Sequence, residues 1–202
     1  MREEPPFGPD PREPRQPSFR MSTEQLMVIL AFVSIGVLFA ATLVAYVITS
    51  TNSKMFRPEG SPGLPAGLFA STALLFGASL SLHHAYRSVV ENRLESLKRG
   101  LYLGLAFAIA FLIGQLFNWT SMLRAQALLP RPTLFAFAFY LLTGLHAAHV
   151  IGGFVPLGIV IRRAQAREYS SSRADGVRFC VWYWHYLGAI WLVLLTVMLT
   201  AQ

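Results

Sequence analysis

Three histidines in apolar surroundings are the residues of this 202-residue chain with the most chemistry to offer. His146 and His149 stand in Thr143–Val150, Thr-Gly-Leu-His-Ala-Ala-His-Val, near the middle of an apolar run from about 132 to 161. Their spacing of three puts both rings on one helical face. His185 lies in a second stretch, Trp182–Trp191, near the C-terminus. At 1.5 Å per residue, His149 is roughly 18 Å and His185 roughly 12 Å from the inner ends of their helices, so the two can share a depth. Imidazoles placed there can bond between helices, or to Tyr and backbone groups, as buried polar groups do. Alternatively, His149 and His185 can form an axial pair for haem b. A bis-histidine cytochrome normally shows more than one such pair, and a copper or iron site would need a carboxylate or thiol cluster that is not nearby. The residues therefore favour packing over metal ligation.

The other deep polar groups are Gln115 and Asn118, with scattered Ser, Thr and Tyr. Every Asp and Glu falls in a polar arm, a loop or the first turn of a helix. Proton pumps and ion-coupled transporters place carboxylates at mid-membrane, because a proton or cation needs a titratable partner there. This chain has no such relay, which argues against a self-sufficient pump or a small transporter. Cys180, the single cysteine, can form neither an internal disulfide nor a Cys-x-x-Cys pair. Trp184 and Trp191 read as packing residues, and Trp119 as part of an interfacial belt. His83 and His84 read as interfacial and solvated.

These side chains need a scaffold, and composition says which kind. The chain is 54% hydrophobic and only 13% charged, against about 25% charged in ordinary soluble domains. Several apolar runs reach the roughly 20 residues that span a bilayer. We expect an all-α membrane protein, a bundle of five transmembrane helices at about 23–50, 65–86, 100–119, 132–161 and 177–200. Ser22 or Thr23 can cap the first, with Glu24 in its first turn. A face of small residues on the second, Ser71, Gly77, Ala78 and Ser79, suits close packing, as does Gly100-x-x-x-Gly104 on the third. Arg87–Arg99 should turn the chain, and Pro156 should kink or loosen the fourth helix. No cleavable signal peptide is apparent, since the first apolar run is too long. Residues 1–20 hold six prolines and charges of both signs, the composition of a disordered arm. The membrane domain then covers 21–202.

The net charge of +7 reads as topology rather than as nucleic-acid binding, because the basic residues are confined to arm and loops. Thirteen lie on one side, in the arm (Arg2, Arg12, Arg15, Arg20), the second loop (Arg87, Arg93, Lys98, Arg99) and the fourth (Arg162, Arg163, Arg167, Arg173, Arg178). Only Lys54, Arg57, Arg124 and Arg131 lie on the other. The positive-inside rule puts the N-terminus in the cytoplasm and the C-terminus outside. Arg87, Arg162 and Arg163, at inner helix ends, are candidates for anionic lipid head groups.

Two ordered motifs carry a family likeness. Phe139–Gly153 resembles the Thr-Gly-x-His-Gly-x-His-Val-x-x-Gly motif of haem–copper oxidase subunit III. Trp182–Leu192 resembles its Tyr-Trp-His-Phe-x-Asp-x-x-Trp-Leu motif. The Ser71–Ser88 stretch and Gly114-Gln115-x-x-Asn118-Trp119 fall in the same order, and five spans resemble the shorter bacterial form. The departures are acids: Asn118 and Gly188 stand where the family usually has Glu and Asp, and Gly36 or Ile35 where it has a buried Glu. The resemblance implies an accessory, non-redox subunit of a cytochrome c or quinol oxidase in aerobic electron transport, in a bacterial inner membrane. It implies packing on subunit I, with subunit II in the same complex, and bound phospholipid. Haem and copper would then sit in the partner subunits, with no catalytic, cofactor or metal residue here. Gln115, Asn118, His146, His149, Trp184, His185 and Trp191 would be interhelical contacts. A subunit-III-like protein associated with nitric oxide reductase is the near alternative, and a haem b cytochrome the distant one.

Overall fold

A computed structural model describes residues 23–53, 56–58, 60–129 and 133–200. The arm, Ser22, the side chain of Glu24, Lys54 and Arg131 lie outside what it describes, and the readings made on them with it. Five helices follow one another: α1 (Thr23–Asn52), α2 (Gly67–Val90), α3 (Leu94–Gln126), α4 (Leu134–Gln165) and α5 (Asp175–Thr200). All five are long and apolar enough to cross a membrane. The chain is therefore a multi-pass helical membrane protein.

Several helices outrun the apolar stretches that announced them. α3, expected at about 100–119, begins at Leu94 and ends at Gln126. Leaving the apolar region does not end a helix when the polar residues suit one. Glu95 sits in the first turn, where the helix dipole favours it, and pairs with Lys98 at 3.1 Å. The polar stretch expected to turn the chain thus gives only Glu91–Arg93 to the turn. Asn92 adopts φ 57 there, a left-handed conformation that Asn tolerates well. Arg93 N–H donates to Ser88 O at 2.8 Å, closing the end of α2. α4 likewise runs through Pro156 to Gln165, past its expected end at about residue 161. Packed neighbours in a bundle let a helix keep going past proline.

The helices close into a ring of four. α2 packs on α3, α3 on α4, α4 on α5 and α5 back on α2, while α1 touches only α4 and α5. The α2–α3 contact is the most extensive, and small residues make it so. A Cβ at Gly100 would stand 2.9 Å from the Ser81 carbonyl oxygen, and one at Gly104 would stand 2.6 Å from Leu82. Ala78, Leu82 and Ala85 of α2 are fully buried against this face. By contrast, α1 buries only Phe39 and Tyr46 and leans on the ring from outside. Tyr186 of α5 holds it by donating to Phe32 O at 2.7 Å and stacking on the Phe32 ring.

The two ends differ. At one, Asn92 of the α2–α3 turn accepts from Ser171 N–H at 2.9 Å and donates to Ser171 Oγ at 3.2 Å. This gathers Arg87, Arg93, Lys98, Arg162, Arg163, Arg173 and Arg178 at a single end of the bundle. At the other, Thr133 caps α4 by accepting from Ala136 N–H. Gln126, the last residue of α3, clamps Thr133 with two hydrogen bonds. Phe56 closes this end, its carbonyl accepting from Phe135 N–H.

Candidate functional site

The ring encloses a layer of aromatic and polar side chains drawn from every helix. His146, on α4, is completely buried. Its ring lies 5.0 Å from Trp191 of α5, 5.8 Å from Phe111 of α3 and 6.2 Å from Phe39 of α1, between centroids. Neither ring nitrogen finds a protein hydrogen-bond partner. Gln115, one turn beyond Phe111 on α3, is 1% exposed and its amide is likewise without one. The indole N–H of Trp184 also lacks a partner, whereas Trp191 and Asn118 are satisfied. Trp191 Nε1 donates to Thr72 Oγ1 at 2.9 Å, tying α5 to α2. Asn118 Nδ2 donates to Ser71 Oγ at 3.1 Å, tying α3 to α2.

Thr143 of the first motif receives the indole N–H of Trp119 at 3.0 Å and passes its own proton to Phe139 O at 2.6 Å. Tyr140 donates to Trp119 O, so α3 and α4 are stitched twice over one turn. The sequence assigned Trp119 to an interfacial belt, yet here it works between helices. Trp184 is 1% exposed and packs against Phe154 and against Gly153, where a Cβ would meet its indole at 3.3 Å. Gly153 thus gives Tyr183 and Trp184 their room.

His149 and His185 part company. His149 Nδ1 donates to Leu145 O of its own helix at 2.8 Å, and the ring faces Phe39 of α1 at 5.2 Å. Between helices it contributes that ring contact to α1 and its carbonyl, which accepts from Tyr183 of α5. His185 bonds Ser79 of α2 through Nδ1 and lies 5.7 Å from the His83 ring. The possible His149–His185 bond or axial pair is therefore not formed, because helical phase turns the two toward different neighbours. His83, read as a solvated interfacial group, is exposed, with the ring of His185 as its neighbour. Arg87, Arg162 and Arg163 are exposed, Arg163 at 3.9 Å from Glu168.

Sequence reasoning missed the hydroxyl partners Ser71, Thr72, Ser79 and Thr143. Their signal was available: hydroxyls inside apolar runs facing Trp, Asn or His side chains at matching depth. It also missed Phe39, the residue that brings α1 to both motif histidines. Chemically, the interior offers directed hydrogen bonds and ring contacts. Among the described residues, no three or more His, Cys, Asp or Glu gather as a metal-holding group.

Comparison with known proteins agrees with this picture. The family described as cytochrome c oxidase subunit III matches residues 21–200. Cytochrome c oxidase subunit 3 of Thermostichus vulcanus is 26% identical over 186 residues, covering 90% of this chain and 87% of that protein. The Synechocystis subunit 3 is 29% identical over 169 residues, covering 83% and 71%. Subunit 3 of the Pylaiella littoralis oxidase is 32% identical over 132 residues, 65% of this chain and 46% of that longer protein. With nearly the whole membrane domain matched and both motif histidines built into the ring, the chain belongs to the cytochrome c oxidase subunit III family and is a subunit III of a haem–copper oxidase.

Proposed function

We propose that the chain is the accessory, non-redox subunit of a respiratory oxygen-reducing oxidase of the cytochrome c oxidase type. In this reading it packs on the catalytic subunit I, shares the complex with subunit II, and binds phospholipid. Haem and copper belong to those partners, and this chain supplies no active site. The supporting observation is the interior: aromatic rings and directed hydrogen bonds join neighbouring helices, so the buried polar groups act as adhesion between spans. The gathering of basic residues at one end supports a cytoplasmic position for that end in a bacterial inner membrane, with the C-terminus outside. Exposed Arg87, Arg162 and Arg163 are suited there to anionic head groups.

The test is isolation from native membranes by a C-terminal tag, in mild detergent. The expected result is a complex with a haem- and copper-bearing large subunit that consumes oxygen. Separating the tagged chain from the complex should leave it colourless. Co-isolation with a nitric-oxide-reducing assembly, or a stoichiometric Soret band on the separated chain, would overturn the reading.

A further inference from the structure

His185 occupies an unusual place for an ionisable side chain. It lies ten residues into the 26-residue helix α5, roughly 15 Å from its inner end and so near mid-span. Yet it is on the outside of the ring, exposed. It lines a cleft of about 210 Å³ between α2 and α5, whose walls include Leu75, Phe76, Ser79, Gly188, Ala189 and Leu192. His83 of α2, also exposed, stands beside it. Intramembrane ionisable residues are expensive against lipid and almost always face protein or a water-filled cavity. The other outward faces obey that rule. Mid-span, α3 presents Leu103, Ile109, Ile113 and Leu116, and α1 presents Val33, Val37 and Val44. On the α2–α5 face, by contrast, the exposed imidazole of His185 stands near mid-span with His83 beside it, and His84 is exposed next to His83. Small residues also open this face: a Cβ at Gly188 would meet nothing within 4 Å, and Ala189 is exposed beside it, so another backbone can come close.

We infer that the α2–α5 face is where a transmembrane helix of the catalytic subunit docks, presenting a hydroxyl, amide or carboxyl side chain to the His83–His185 pair. This rests on the chain being an oxidase subunit, and it specifies the surface used. Ser79 holds His185 Nδ1, which leaves Nε2 as the ring nitrogen available to the partner. A lipid acyl chain has nothing to offer that nitrogen, whereas a polar side chain on an approaching helix does.

The test uses the assembled complex, with a photo-crosslinking amino acid placed in turn at Ala189, Leu116 and Val37. The expected result is a covalent adduct to the large haem-bearing subunit from position 189 and to lipid from 116 and 37. An adduct from 116 or 37 to the large subunit, with 189 giving only lipid or a second copy of this chain, would overturn the assigned face while leaving complex membership intact. If the chain fails to co-purify with any haem-bearing subunit, the functional reading itself falls. In parallel, His185→Leu should lower retention of this chain in the complex by roughly three- to tenfold, as loss of one intramembrane hydrogen bond would. His185→Gln should restore much of it. Unchanged retention in His185→Leu would also overturn the proposal.

Discussion

At the scale of single residues, buried polar groups divide into those that hold neighbours and those that hold none, and the two should respond oppositely to mutation. Trp191→Phe keeps the ring against His146 and Phe111 but removes the donor to Thr72. It should cost about 0.6–1.7 kcal/mol, the worth of an interhelical bond in a membrane bundle, read as lowered resistance to denaturing detergent. Gln115→Leu removes an amide with no protein partner, so it should be neutral or stabilising in the same assay. If Gln115→Leu proves the more damaging of the two, the interior is organised differently from this account. Cys180 is 3% exposed and unpaired. Cys180→Ala should leave oxygen uptake by the complex unchanged, and a large loss would assign the thiol a role. Much of this layer was legible in the sequence as a set of residue types: Gln115, Asn118, His146, Trp184 and Trp191 are all in it. What composition could not give was partnership. Whether His149 meets His185 or Phe39 depends on helical phase and on the neighbour, and neither is written in local spacing.

Among the elements, α2 and α3 form the tightest pair because Gly100 and Gly104 bring the backbones together. Gly104→Val would drive a branched side chain into Leu82. Overpacking of this kind costs about 1–3 kcal/mol, and we expect a lower yield of intact complex together with a lower melting temperature. A yield equal to wild type would show that α2 and α3 can separate without consequence. α1 is held far more lightly, and His149 is part of what it leans on. His149→Ala should therefore loosen α1 and weaken assembly while leaving the haem content of each assembled complex unaltered. The number of spans could be read from length and apolarity alone. Their ends could not, because Glu95, Lys98 and the paired arginines after Ile161 extend helices past the apolar runs. Asn92 and Arg167, both at φ 57, stop α2 and α4 without a glycine to announce the stop.

For the molecule as a whole, the Asn92–Ser171 bonds place the α2–α3 turn and the α4–α5 loop at one end, so topology can be tested with two positions. In a Cys180→Ala background, Ser61→Cys should react from outside the cell with a membrane-impermeant thiol reagent. Ser171→Cys should react only after the membrane is opened. The reverse pattern would invert the proposed orientation.

The outlying position of α1 also bears on how the polypeptide is made. It is the first span to leave the ribosome among those described, yet both of its neighbours, α4 and α5, are synthesised last. For most of translation it must wait in the bilayer as a solitary helix while the hairpin of α2 and α3 forms without it. Its largely apolar surface is what makes that wait tolerable: Phe39 becomes an anchor once α4 brings His146 and His149 to it, and Phe32 only once α5 supplies Tyr183 and Tyr186.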